Sequence, residues 1–109
     1  MIVGRAKDLI KSGGEWINPG EIEALVGALP EVALAAVIGR SDPKWGERPI
    51  LVVQMRDNHT ATDKELLEPL HGRVPQWWIP DAVFQLQHMP LATTGKIDKI
   101  ALRSEYGGC

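Results

Sequence analysis

The chain has 109 residues, enough for one domain with a modest core and too few for two. Its 44% hydrophobic share argues against disorder, and a formal net charge of -2 with no basic run excludes the electrostatic footprint of a nucleic-acid binder. The single cysteine, Cys109, allows no internal disulfide, and no apolar run approaches the ~20 residues that span a bilayer, so a cytoplasmic protein without a transmembrane segment is expected.

Residues 1–5 are too short and too polar for a signal peptide. Residues 8–11 and 15–17 are expected to pair as a hairpin turning at Ser12-Gly13-Gly14. Paired glycines also let another chain or a ligand approach the backbone closely. Asn18-Pro19-Gly20-Glu21 is a helix start: Asn18 can cap, Pro19 suits the first position, and Glu21 falls three after the cap. Ile22, Leu25, Val26 and Leu29 then recur at helical spacing until Pro30 ends the run.

Residues 32–38 read as a central strand buried on both faces, residues 40–49 as a polar loop, and residues 50–55 as an antiparallel partner strand. Thr62-Asp63-Lys64-Glu65 is a capping box, followed by Leu66, Leu67, Leu70 and Val74 on one apolar face. Pro69 should shorten or kink that helix. Pro75 and Pro80 bracket Trp77-Trp78, and residues 82–87 form a last strand. Asp98 caps a helix over 99–105, and residues 107–109 are expected to fray. The order β-β-α-β-β-α-β-α predicts an α+β fold, a small, mostly antiparallel mixed sheet with helices packed on it. Trp16, Trp45, Trp77 and Trp78 each stand beside a loop signal, which suggests packing at surfaces or edges.

The sequence carries no self-sufficient active site. Thr94-Gly95-Lys96 is not a phosphate loop, because Pro90 stands where a glycine is needed and Ile97 where a Ser or Thr is needed. His59, His71 and His88 have no metal-ligand spacing, and no hydroxyl or thiol has a base at motif distance. What remains is a set of lysines near glycines: Lys7, Lys11 and Lys96. Lys96 stands on a short polar turn between apolar flanks. It is either a solvated charge or a point charge for a phosphate or carboxylate delivered from elsewhere.

Residues 4–17 (GRAKDLIKSGGEWI) with Glu21-Ile22-Glu23, the segment 42–49 (DPKWGERP), and Pro90-x-x-x-x-Gly95-Lys96-Ile97-Asp98-Lys99 resemble, in order and spacing, the C-terminal domain of adenylate-forming enzymes. These include acyl-CoA synthetases, luciferases and peptide-synthetase adenylation domains. The resemblance implies a two-step reaction with ATP and CoA as substrates, the ATP carrying Mg2+: a carboxylate becomes an acyl-adenylate, and a thiol then displaces AMP. It implies a mobile domain that swings on a hinge at Arg5 and Lys7 against an N-terminal adenylation domain. In one pose Lys96 would neutralise charge on carboxylate and phosphate oxygens. In the other Lys11 would sit near the adenylate, with Gly13 and Gly14 lining the tunnel for the pantetheine thiol.

Trp45 and Trp77 are candidates for the same CoA passage, with stacking on adenine and packing under the sheet both open. Residues 77–81 (WWIPD) are similar to the fatty-acyl and medium-chain branch. The large adenylation domain lies outside these residues, so the chain is expected to be inactive alone. No metal ligand is expected within it. The rival reading is a stand-alone interaction module of the same fold.

Overall fold

The structure, a computed structural model, describes residues 9–107. Arg5, Lys7 and the expected start of the first strand at residue 8 lie outside the described residues. A hairpin opens the fold, with β1 (Ile10–Ser12) antiparallel to β2 (Glu15–Ile17). The turn takes only two residues, Gly13 at φ 60° and Gly14 at φ 87°. Two successive positive φ values match the right-handed twist of the flanking strands, and only glycine adopts them without cost. Ser12, expected in the turn, is paired with Glu15 instead.

Helix α1 (Pro19–Gly27) begins as the sequence dictates. Asn18 Oδ1 accepts the Gly20 N–H at 2.9 Å, and Pro19 occupies the first turn where its missing N–H costs nothing. Ile22 and Val26 are fully buried, while Leu25 and Leu29 pack at the margin of the same core.

Strands β3 (Val32–Asp42) and β4 (Gly46–Met55) are longer than expected, and the polar loop over 40–49 is mostly strand. Arg40 pairs with Arg48, Ser41 with Glu47 and Asp42 with Gly46. Charged residues hid this, because the strands outrun the core and their ends face solvent. The real turn is three residues long. Asp42 Oδ1 accepts the N–H groups of Lys44 at 2.8 Å and Trp45 at 2.9 Å, and Gly46 supplies φ 89°.

A second correction concerns the centre of the sheet. β4, not β3, is central: it pairs with β3 on one side and with β5 (Ala82–Leu86) on the other, and its first residue also meets β1. β5 runs parallel to β4, which makes this otherwise antiparallel sheet mixed. The connection from β4 to β5 contains α2 (Asp63–Leu67), and a parallel partner requires such a crossover.

Both bonds of the Thr62 capping box are present, at 2.8 and 3.1 Å. Pro69 does shorten the helix: α2 stops at Leu67 and a 3-10 turn, Glu68–Leu70, takes over. A second 3-10 turn, Gln76–Trp78, carries the tryptophan pair. Helix α3 (Lys99–Tyr106) is capped by Asp98, whose Oδ1 accepts the Ala101 N–H at 3.1 Å.

Alternation along β4 divides the core between the two faces of the sheet. Leu51 and Val53 join α1, α2 and the first hairpin in one cluster. Ile50 and Val52 join Met89 and Leu102 of α3 in the other. Gly107, expected to fray, is tied in: its carbonyl accepts the Ser41 N–H at 3.0 Å. No helix of the described residues is long and apolar enough to cross a membrane.

Candidate functional site

A groove of about 490 Å3 lies where the first hairpin, the β3–β4 turn and the Gln76–Trp78 turn converge. Ser12, Gly13, Glu15, Trp45, Arg48, Trp77 and Asp81 line it. Arg48 is what joins these three segments. Its Nε donates to Asp81 Oδ1 at 3.0 Å, Nη1 to Ser12 Oγ at 3.0 Å and to the Trp77 carbonyl at 2.9 Å, and Nη2 to the Ile79 carbonyl at 3.2 Å. Nη2 also lies 3.0 Å from Asp81 Oδ1. A guanidinium has five N–H donors in a fixed fork, and here four of them are hydrogen-bonded while Nη2 also faces the Asp81 carboxylate. Arg48 therefore ties the three segments of the groove together. Sequence reasoning missed it, because Arg48 stands next to Glu47 in a segment that reads as a polar loop and nothing local marks its distant partners.

The turn at Gly13 is closed by its own neighbour. Gly13 N–H donates to the Trp45 carbonyl at 2.7 Å, and a Cβ on Gly13 would stand 2.8 Å from Cε3 of the Trp45 indole. The space a side chain would take at Gly13 thus holds an aromatic ring. A Cβ on Gly14 would meet nothing within 4 Å. Trp45 and Trp77 remain substantially exposed, at 47% and 40%, although the Lys44 ammonium stands 5.1 Å from the Trp45 ring centroid and Trp77 meets Trp78 edge to face.

Lys11 does not point into this groove. It pairs with Trp16 in the hairpin register, one step out of phase with Ser12 and Glu15, and so lies on the other hairpin face. Its ammonium stands 5.4 Å from the Trp16 ring centroid, a cation–π distance, and both residues are exposed. Its backbone N–H donates to Glu47 Oε1 at 3.1 Å.

Lys96 stands apart from both. Its loop is a closed unit in which Gly95 N–H donates to Ala92 O at 2.8 Å, Ala92 N–H to Lys96 O at 2.7 Å, and Asp98 N–H to Pro90 O at 2.9 Å. Gly95, at φ 88°, makes the reversal, and Leu91 bridges to Ile97. The Lys96 side chain is exposed and has no partner among the described residues. Helix α3 then runs toward the β3–β4 turn, since Lys99 at its start is tied through Glu23 to Val37, and Gly107 at its end to Ser41. Four strand steps cover about 13 Å, and the eight helical residues cover about 12 Å. The Lys96 loop is left at the end of α3 farther from the groove.

The profile of the AMP-binding enzyme C-terminal domain matches residues 21–96. This chain belongs to that family. The 3-methylmercaptopropionyl-CoA ligase of Ruegeria lacuscaerulensis is 46% identical over 102 residues, which are 94% of this chain and 19% of that protein. The medium-chain-fatty-acid–CoA ligase of Ectopseudomonas oleovorans is 43% identical over 106 residues, 97% of this chain and 19% of that one. The apo MatB crystal structure from Rhodopseudomonas palustris superposes with a TM-score of 0.88 at 34% identity, covering 94% of this chain and 21% of that one. The chain thus spans about a fifth of the length of the curated relatives it matches.

As an AMP-binding enzyme C-terminal domain, the chain brings Gly13, Trp45 and Trp77 together in one groove, while Gly14, next along the turn, is not among the residues that line it. It places Lys11 on the opposite face of the same hairpin and Lys96 at a different end of the sheet. Among the described residues no group of three or more His, Cys, Asp or Glu side chains can hold a metal ion.

Proposed function

We propose that this chain is the mobile C-terminal domain of an AMP-forming acyl-CoA ligase acting on fatty or other aliphatic acids. The carrying observation is the separation of two features on one rigid body. A lysine with no partner among the described residues stands on a closed turn at one end, and an aromatic groove beside a glycine turn stands at the other. A single active site elsewhere can use both only if the domain presents them in turn.

In the first pose Lys96 brings its ammonium to an ATP phosphate and the substrate carboxylate, where a fixed positive charge stabilises the charge that develops. In the second, the first hairpin faces the acyl-adenylate, with Lys11 beside it. The groove of Gly13, Trp45 and Trp77, with the neighbouring Gly14, takes the CoA thiol arm. Since the Gly13 space is filled by the Trp45 indole, Gly14 and the exposed ring faces are what the arm would pass. Arg5 and Lys7 serve as the hinge. The partner is an N-terminal adenylation domain, and Mg2+ arrives there with ATP as part of the substrate. The setting is cytoplasmic. The relatives are ligases in which the matched segment is about a fifth of the protein, which favours this reading over a stand-alone interaction module.

The test is a chimera in which this chain replaces the matching C-terminal fifth of the Ruegeria ligase. Adenylate formation and thioester formation both at rates near the parent's are expected, with the truncated parent inactive in both. A soluble, folded chimera no more active than the truncated parent would sink the proposal.

A further inference from the structure

Lys96 has no side-chain partner among the described residues, so its aim depends on how its loop is held. The three backbone bonds across the loop make it a unit, but a unit can pivot about its two ends. Among the described residues each end is tied to a polar side chain of another element. On the incoming side Met89 N–H donates to Gln54 Oε1 of β4 at 2.6 Å. On the outgoing side Lys99 Nζ lies 2.7 Å from Glu23 Oε2 of α1. That same oxygen accepts the Val37 N–H at 2.8 Å, which fixes the carboxylate to the free edge of β3. Lys99 and Glu23 are only 18% and 23% exposed, so salt screens their pairing less than a surface pair. Ile97 and Leu102 also hold this region, but apolar packing is non-directional. The hydrogen bond and the ion pair supply the direction.

Resting on the proposed function, we infer that Glu23 and Gln54 are positioning residues for Lys96: they brace both ends of its loop so that the ammonium arrives at a fixed place. Neither touches substrate. A displacement of about 1 Å in a reacting group costs up to roughly a hundredfold in rate, so a loosened brace should show in the half-reaction that uses Lys96 and in no other.

The chimera described above allows the test. Glu23→Gln keeps an oxygen for the Val37 N–H and removes the charge facing Lys99. Gln54→Met removes the acceptor for Met89 at similar volume. Each should slow adenylate formation about tenfold. Conversion of preformed acyl-adenylate to thioester should stay within about twofold, which also shows that the protein is folded. Lys99→Met should slow adenylate formation at least as much as Glu23→Gln does, and Lys99→Arg should recover most of the loss. Equal losses in both half-reactions, or none in either, would overturn the bracing role. Lys96→Ala separates the two levels of the argument. If it leaves adenylate formation intact, the functional reading fails. If it abolishes adenylate formation while Glu23→Gln and Gln54→Met do not, only the brace fails.

Discussion

Arg48 and Asp81 meet through a single carboxylate oxygen: Nε and Nη2 of Arg48 each lie 3.0 Å from Oδ1 of Asp81. The two partners are unequal. Asp81 is 39% exposed and Arg48 only 14%, so water can replace Arg48 for Asp81 more easily than the reverse. Arg48 also satisfies Ser12 and the carbonyls of Trp77 and Ile79, which belong to two other segments of the groove. Asp81→Asn should therefore cost less than about 1 kcal/mol, the range of an exposed pair. Arg48→Ala should cost about 2 kcal/mol or more, because three acceptors, two of them in part-buried bonds, lose a charged donor together. Urea midpoints of the two variants check this ordering, and equal midpoints would contradict it.

Gly13 and Gly14 pay the same backbone penalty on substitution but differ in space. Both have positive φ, so alanine at either costs about 1 kcal/mol. Only at Gly13 would the new methyl collide with the Trp45 ring. Gly13→Ala should lower the urea midpoint more than Gly14→Ala and shift tryptophan emission, while Gly14→Ala leaves the emission in place.

Local chemistry made much of this fold legible. The Asn18, Thr62 and Asp98 caps each bind a backbone N–H as their positions in the sequence require. Pro69 cuts its helix because it cannot donate at the next turn. Long-range relations were not legible. The parallel pairing of β5 with β4 and the edge position of β3 depend on contacts far apart in the chain. The charged run from Arg40 to Arg48 looked like a loop because periodicity reports burial, and these strand ends are not buried. The same limit hid Arg48, whose partners lie 29 to 36 residues away. Lys96 could be singled out because its turn chemistry is contiguous, and nothing in that turn tells where the charge is used.

Lys96 is exposed and has no partner among the described residues, so Lys96→Ala should change the stability of the chain by less than about 0.5 kcal/mol. In the chimera the same substitution should slow adenylate formation by roughly a hundredfold or more, the scale of losing one preorganised electrostatic group. Thioester formation from preformed adenylate should continue. Ile100 offers a companion test. It is 78% exposed in the first turn of α3, an apolar side chain four residues after Lys96. If that face meets the adenylation domain when Lys96 is delivered, Ile100→Asp should slow adenylate formation with little change in the urea midpoint. Unchanged adenylate formation would place the contact elsewhere.

Asp42 ties acid behaviour to the groove. Its carboxylate accepts the N–H groups of Trp45 and Lys44, and these bonds, Trp45 first, hold its pKa below the ordinary 3.8. As pH falls, the unfolded chain takes up this proton before the folded one does. The stabilisation is thus complete above the unfolded value near 3.8 and disappears as pH drops through the lower folded value. Asp42→Asn keeps an oxygen acceptor for the turn but cannot titrate. The wild-type chain should therefore exceed Asp42→Asn in urea midpoint by a constant margin at neutral and mildly acidic pH. That margin should shrink once the pH falls below about 3.8, with Trp45 emission shifting as its turn loosens. A margin that stays constant to the lowest pH at which both chains fold would mean that Asp42 acts in the turn only through its shape.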